Sequence, residues 1–229
     1  STFTSCTNSQ AECLTIDRKE PPSRWFSCGL IKAGTYGLWY TRTTVKREYE
    51  IKSEECMLEN FIKVADMPQE VIEKYKDQVP VELVQIWQED GLGTFLDGYL
   101  KVINPDDYLE LLQDSYFRGD IAIPMFVTAF GDVITWEENA YVLIVQYNIQ
   151  DCNIIIKRLS HFLNFLDDEY VLRYFDIPLY KKAIAKHGQL AYDECFGFVP
   201  LLALGGFKDV DHMDKVKVLE HIYLMYQLT

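Results

Sequence analysis

At 229 residues, with 48% hydrophobic and 25% charged side chains, the chain is long enough for one or two domains with a buried core, and its composition is that of a soluble globular protein. Its formal net charge of −13 at pH 7 disfavours contact with nucleic acid or an anionic membrane and favours a basic partner. No apolar run approaches the ~18–20 residues that span a bilayer, and Ser1–Ser5 lack the basic start and apolar core of a secretory signal, so a cytoplasmic location is expected.

The charge is unevenly placed. Residues 1–56 hold eight of the 22 basic and seven of the 35 acidic residues, so the remainder carries a net −14. Solubility is the plain alternative explanation of such acidity. The first segment is rich in Ser, Thr, Cys, Gly and Arg and sustains no helical period; a hairpin around Ala33-Gly34, with Leu38-Trp39-Tyr40 as a strand, is the element expected there. It reads as an extension of unknown role, and Met57, preceded by Glu54-Glu55 with its purine-rich coding, is a candidate native start. The six cysteines include no C-x-x-C pair and no Cys/His cluster at zinc spacing. Cys152 and Cys195 are expected to pack as small apolar thiols.

From residue 57 onward the pattern sharpens. Pro68 opens a helix through Val71, Ile72 and Tyr75, and Pro80 opens another with Leu83, Ile86 and Trp87 on one face, stopped by Asp90-Gly91. An extended segment over 94–103 leads to Asn104, which caps a short amphipathic helix with Pro105 at its first position and Tyr108, Leu111 and Leu112 on its apolar side. Three strands follow, at 121–130, 133–136 and 140–147, with Gly131-Asp132 and Glu138-Asn139 between them at turn spacing, so an antiparallel meander is expected. After Asp151 helices are expected: one through Leu159, Phe162, Leu163 and Leu166, one over 178–187 ended by Gly188, and a last one over 213–228. Between the last two, residues 196–204 read as a buried extended segment closed by Gly205-Gly206. The fold class is α+β: a meander with flanking helices over 57–150, then a mainly helical subdomain over 151–229.

The most informative polar pattern lies in the helix after Asn104. At 100° per residue, Asp106, Glu110, Asp114 and Asp107 fall within one arc of about 100°, opposite the apolar side, and no Lys or Arg lies between Val102 and Phe117. Acids in a first turn also suit the helix dipole, which is the structural alternative to a partner-facing surface. Asp132, Glu137 and Glu138 place further acids at both ends of a short strand, while Trp87 and Trp136 are expected in the core. The four histidines show no metal spacing, and no G-x-S-x-G, H-E-x-x-H or dinucleotide fingerprint is present. Gly205-Gly206-Phe207-Lys208 lacks the spacing of a phosphate loop and reads as a turn. No catalytic residue, metal or cofactor is expected.

Several short motifs, in order, carry a family resemblance. They are Pro80 with Trp87-Gln88-Glu89-Asp90-Gly91, then Val102-Ile103-Asn104-Pro105-Asp106-Asp107-Tyr108, then Ala129-Phe130-Gly131-Asp132 and Thr135-Trp136. Later come Tyr192-Asp193-Glu194-Cys195-Phe196-Gly197-Phe198-Val199-Pro200, Leu204-Gly205-Gly206 and Leu219-Glu220-His221-Ile222. Over residues 57–229 the chain resembles the bacterial GAD-like domain followed by the C-terminal domain of type VI secretion immunity proteins that neutralise DNase toxins. The resemblance implies a bacterial, non-enzymatic antitoxin that blocks or distorts a basic DNase by stoichiometric binding, without touching nucleic acid or membrane itself. The toxin-facing residues expected on that reading are Asp106, Asp107, Glu110 and Asp114, then Asp132, Glu137 and Glu138, with Tyr99 as an aromatic anchor. Two other classes stay open: a translation-accessory binding module, which the GAD name suggests and the acidity disfavours, and a small-molecule enzyme, which a deep polar pocket holding a strongly shifted carboxylate would favour.

Overall fold

The computed structural model describes Leu58 and residues 60–228; the hairpin expected around Ala33-Gly34 and the candidate start at Met57 lie outside them. Seven strands follow one another into one antiparallel sheet in sequence order: β1 (Ile62–Ala65), β2 (Leu92–Phe95), β3 (Leu100–Val102), β4 (Ile123–Thr128), β5 (Val133–Glu137), β6 (Tyr141–Gln146) and β7 (Asp151–Lys157). Helices α1 (Gln69–Tyr75) and α2 (Val81–Glu89) separate β1 from β2, and α3 (Asp106–Ser115) separates β3 from β4. After the sheet come α4 (Leu159–Asn164), α5 (Glu169–Leu172) and α6 (Ile177–His187), a two-stranded hairpin of β8 (Glu194–Phe198) and β9 (Met213–Lys217), and α7 (Val218–Gln227). The α+β class and the central meander are as the sequence indicates.

Strands β4, β5 and β6 are buried almost throughout, without the polar alternation of a half-exposed sheet, because both faces are covered. Phe126, Ile134 and Ile144 point into one cluster with Val71, Ile86 and Trp87 from the first two helices and Phe162 and Ala183 from the later ones. Their neighbours Val127, Val133 and Val145 point the other way, into a second cluster with Tyr108, Leu111 and Leu112 of α3 and Ile222 and Met225 of α7. Period-2 geometry thus sends successive apolar residues into two different cores.

The C-terminal third is stitched to the sheet through polar groups. Tyr180 donates its hydroxyl to the Asp97 carbonyl at 2.9 Å, Tyr192 to the Val102 carbonyl at 2.7 Å, and the Phe196 amide donates to the Ala129 carbonyl at 2.8 Å. Lys101, 1% exposed, donates its ammonium to the carbonyls of Ala191 and Glu194, and burial pushes its pKa down to about 8. All described residues belong to one compact unit.

Three expectations are corrected. The extended segment over 94–103 is a hairpin, since Leu96, Asp97 and Gly98 all take positive φ and turn the chain between β2 and β3. The chain after Asp151 adds a strand before it turns helical: Ile154, Ile155 and Ile156 are β-branched and lose side-chain freedom in a helix, and Ile154 and Ile156 pair along β6 on either side of a bulge at Ile155. The last helix starts five residues late, because Met213–Lys217 pairs with β8 in the register Phe198↔Met213 and Glu194↔Lys217. Cys195 is buried as a free thiol as expected, whereas Cys152 is disulfide-bonded.

Candidate functional site

The acidic helix forms as its sequence indicates. The Asn104 side-chain oxygen accepts from the Asp106 amide at 3.1 Å, satisfying one of the donors a helix start leaves over. Asp107, Glu110 and Asp114 all reach solvent, and none forms an ion pair with another described residue. Burial and the neighbouring Asp106 charge push the Asp107 carboxyl above its ordinary value. Asp106 departs from the group: Lys74 reaches it at 2.5 Å and the Tyr75 hydroxyl donates to it at 2.6 Å. Burial opposes its charge, but these two donors hold its carboxyl below the ordinary range. Sequence-local counting of bases missed a lysine 32 positions away. Alongside α3, the half-buried Tyr223 of α7 borders the acids, and its phenol is pushed up by burial and by Glu110 and Asp114.

The other acids seen in the sequence do not share one surface. Glu137 is 1% exposed; its carboxylate accepts from the Thr135 hydroxyl at 2.9 Å and from the Arg118 guanidinium at 2.6 Å. Glu138, at the tip of the β5–β6 hairpin with Asn139, reaches solvent and takes the other arm of Arg118. The pair is therefore split, one acid fixed inside and one at the rim. Trp87 and Trp136 are core residues. Tyr99 is buried too; its ring meets Phe130, Phe175 and Tyr180 with centroids 5.1–6.1 Å apart, and its hydroxyl accepts from the Asp176 amide at 3.2 Å. An anchor reaching out to a partner needs exposure that Tyr99 does not have.

Asp132 occupies a different setting. The β4–β5 turn is organised by Thr128, whose hydroxyl accepts from the amides of Phe130 and Asp132 at 3.2 and 3.1 Å and donates back to the Asp132 carboxylate at 3.3 Å. Gly131 supplies the positive φ of 80° that the turn requires. This geometry sets Asp132, 6% exposed, against a cleft of about 940 Å³. Burial pushes its carboxyl up to about 7, against the pull of the Thr128 hydroxyl and the Lys208 charge. The cleft is also lined by Tyr99, Phe130, Asn148, Phe175, Asp176 and Lys208. Lys208 pairs with Asp176 at 3.0 Å. Asn148 donates its amide to the Phe130 carbonyl at 2.9 Å, and its own buried side-chain oxygen has no partner among the described residues.

Sequence reasoning found Asp132 but not its neighbours. Asp176 carries the signal of a helix cap, since Ile177-Pro178 follow it and it accepts from the Leu179 amide; nothing in its local sequence marks a cleft. Lys208 sits just past the Gly205 turn, which is a turn and not a phosphate loop. His221 and Gly197 explain each other: a Cβ on Gly197 would lie 2.6 Å from the imidazole, so glycine makes room for a buried histidine whose pKa burial lowers. Among the described residues no group of three His, Cys, Asp or Glu is placed to hold a metal ion, and no helix is long and apolar enough to cross a membrane.

Comparison with known proteins places the two halves separately. Residues 52–149 match the GAD-like domain, and residues 157–229 match the C-terminal domain described as T6SS immunity protein Tdi1. The fold is similar to that of Atu4351 from Agrobacterium tumefaciens, whose crystal structure aligns with a TM-score of 0.63 at 18% identity over 76% of this chain and 88% of that one. No curated protein matches the sequence. The chain therefore joins a segment that matches the GAD-like domain to a C-terminal segment that matches a type VI secretion immunity-protein domain.

Proposed function

We propose that the protein neutralises a cognate type VI toxin by stoichiometric binding, that the toxin is a basic DNase, and that the exposed acids of α3 are the steering surface. The observation carrying this reading is the acidic face itself: Asp107, Glu110 and Asp114 project side by side with no cation among the described residues to neutralise them. A DNase presents basic side chains where phosphates bind, and an anionic ridge is attracted to that same surface. The interface expected is about 1,200–2,000 Å² in total. The action is blockade or distortion of the toxin, not chemistry by this chain, and its place of action is the cytoplasm.

The test is co-expression with the cognate toxin. A co-purifying complex and intact cellular DNA support the reading; free toxin, degraded DNA and no complex overturn it. A second reading, a small-molecule enzyme, draws support from the cleft with its shifted Asp132. It is the weaker one, since among the described residues the side chain hydrogen-bonded to Asp132 is Thr128, neither acid nor base, and the titratable Asp176 and Lys208 of the cleft are paired with each other. Turnover of a metabolite pool by the purified protein, abolished in Asp132→Asn, is the result that favours it.

A further inference from the structure

We infer that the cleft beside the β4–β5 turn is a receptor for one cationic side chain, an arginine or lysine, carried into it by the bound toxin. The inference rests on the toxin-binding reading above and goes beyond it, because it assigns a second contact away from the acidic helix, with its own chemistry.

The floor of the cleft offers acceptors without donors to match. Asp132 receives one hydroxyl hydrogen bond from Thr128, leaving further acceptor capacity on a carboxyl 6% exposed. The Asn148 oxygen is buried and unpaired among the described residues, while its amide is held by the Phe130 carbonyl, which fixes the orientation of the side chain. An orphan buried acceptor and an under-satisfied carboxylate both gain from an N–H donor, and a guanidinium or ammonium supplies several at once with a compensating charge. The wall is aromatic: Tyr99 meets Phe130 and Phe175 with centroids 6.1 and 5.2 Å apart, and Phe130 stacks on Phe198 at 6.2 Å. Such a wall suits the apolar stem of a long cationic side chain and the face of its head group.

Among the described residues no charged group of the rim hydrogen-bonds Asp132 or the Asn148 oxygen, although the Lys208 charge favours the Asp132 carboxylate from a distance. Lys208 is engaged by Asp176, and Arg173 lies over the rings of Tyr170 and Tyr174, 4.3 and 4.8 Å from their centroids. The exposed lining residues Asp167 and Glu169 outnumber exposed Lys181, so the mouth is not closed to a cation. The volume of about 940 Å³ leaves room for the side chain together with the backbone that carries it. A neutral donor can satisfy these acceptors, but only a cation also compensates the charge of the Asp132 carboxylate, and an anion does neither.

The experiment uses Asp132→Asn, which keeps the shape and one acceptor oxygen but removes the charge, beside the wild type. Calorimetric titration with the cognate toxin is expected to show at least a tenfold weaker Kd for the variant at unchanged stoichiometry. Titration with argininamide, followed by the side-chain NMR signals of Asn148, is expected to saturate in the millimolar range in the wild type and to fail in the variant. Thermal unfolding of both proteins shows whether the variant is folded. A folded variant that binds toxin as tightly as the wild type overturns the inference and leaves the immunity reading intact. If the wild type itself does not bind the toxin, the immunity reading falls, and the argininamide titration alone decides whether the cleft takes a cation.

Discussion

Asp107 and Asp132 are the same residue type in one acidic chain, yet the fold gives them opposite circumstances. Asp107 stands in a row with Glu110 and Asp114 on the open face of α3, exposed to solvent although partial burial and the Asp106 charge raise its carboxyl. Asp132 sits below the β4–β5 turn, where burial holds its carboxyl near neutrality and a single hydroxyl supports it. Formal charge therefore overstates the anionic character of the cleft and describes that of the helix well. On the proposed reading, the difference suits α3 to long-range steering and the cleft to short-range, desolvated recognition.

The difference is open to direct attack. The largest effect is expected at Asp132. Its folded pKa of about 7 lies above an unfolded value of 3.8, so the folded state binds the extra proton between those pH values, and stability falls as pH rises from about 4 to 7. Asp132→Asn removes that slope and raises stability above pH 7 by on the order of 4 kcal/mol, measured by urea unfolding from pH 4 to 8. Next is Arg118, the partner of the buried Glu137. Arg118→Ala leaves that carboxylate inside without its cation and is expected to lower unfolding free energy by about 3 kcal/mol. The double change Asp107→Lys with Glu110→Lys reverses charge on the exposed face of α3. Lysine in the first turn opposes the helix dipole, so stability is expected to fall by about 1 kcal/mol or less, and toxin binding to weaken roughly tenfold. The smallest effect belongs to Lys74→Ala, which frees Asp106 to join the acidic face and changes stability by less than about 1 kcal/mol.

Much of this arrangement was legible before any coordinates. Helices with a strong cap or an N-terminal proline, such as α3 after Asn104-Pro105 and α6 around Pro178, follow from local chemistry and appear where expected. The central strands followed from their turns, since Gly131 and Glu138-Asn139 take the positive φ those positions suggest. What local sequence did not reveal was decided by distant partners. β9 is a strand because β8 lies beside it, and Asp106 is neutralised by a lysine from α1. The strand β7 is a different case: its three isoleucines carried the β signal, and the helical pattern that starts at Leu159 masked it. At the candidate site, the acidic arc was readable because a helix has a fixed period. The cleft was not, because Asp132, Asn148 and Asp176 meet only through the packing of the sheet against the segment after it.

The most direct test of the toxin-binding account is the association rate constant with the cognate toxin, measured by stopped flow from low to physiological salt. Wild-type protein is expected to associate fast at low salt and to slow steeply as salt rises, with Asp107→Lys/Glu110→Lys slower at low salt and nearly flat across the range. Identical rates and identical salt dependence for the two proteins contradict the assignment of α3 as the steering surface.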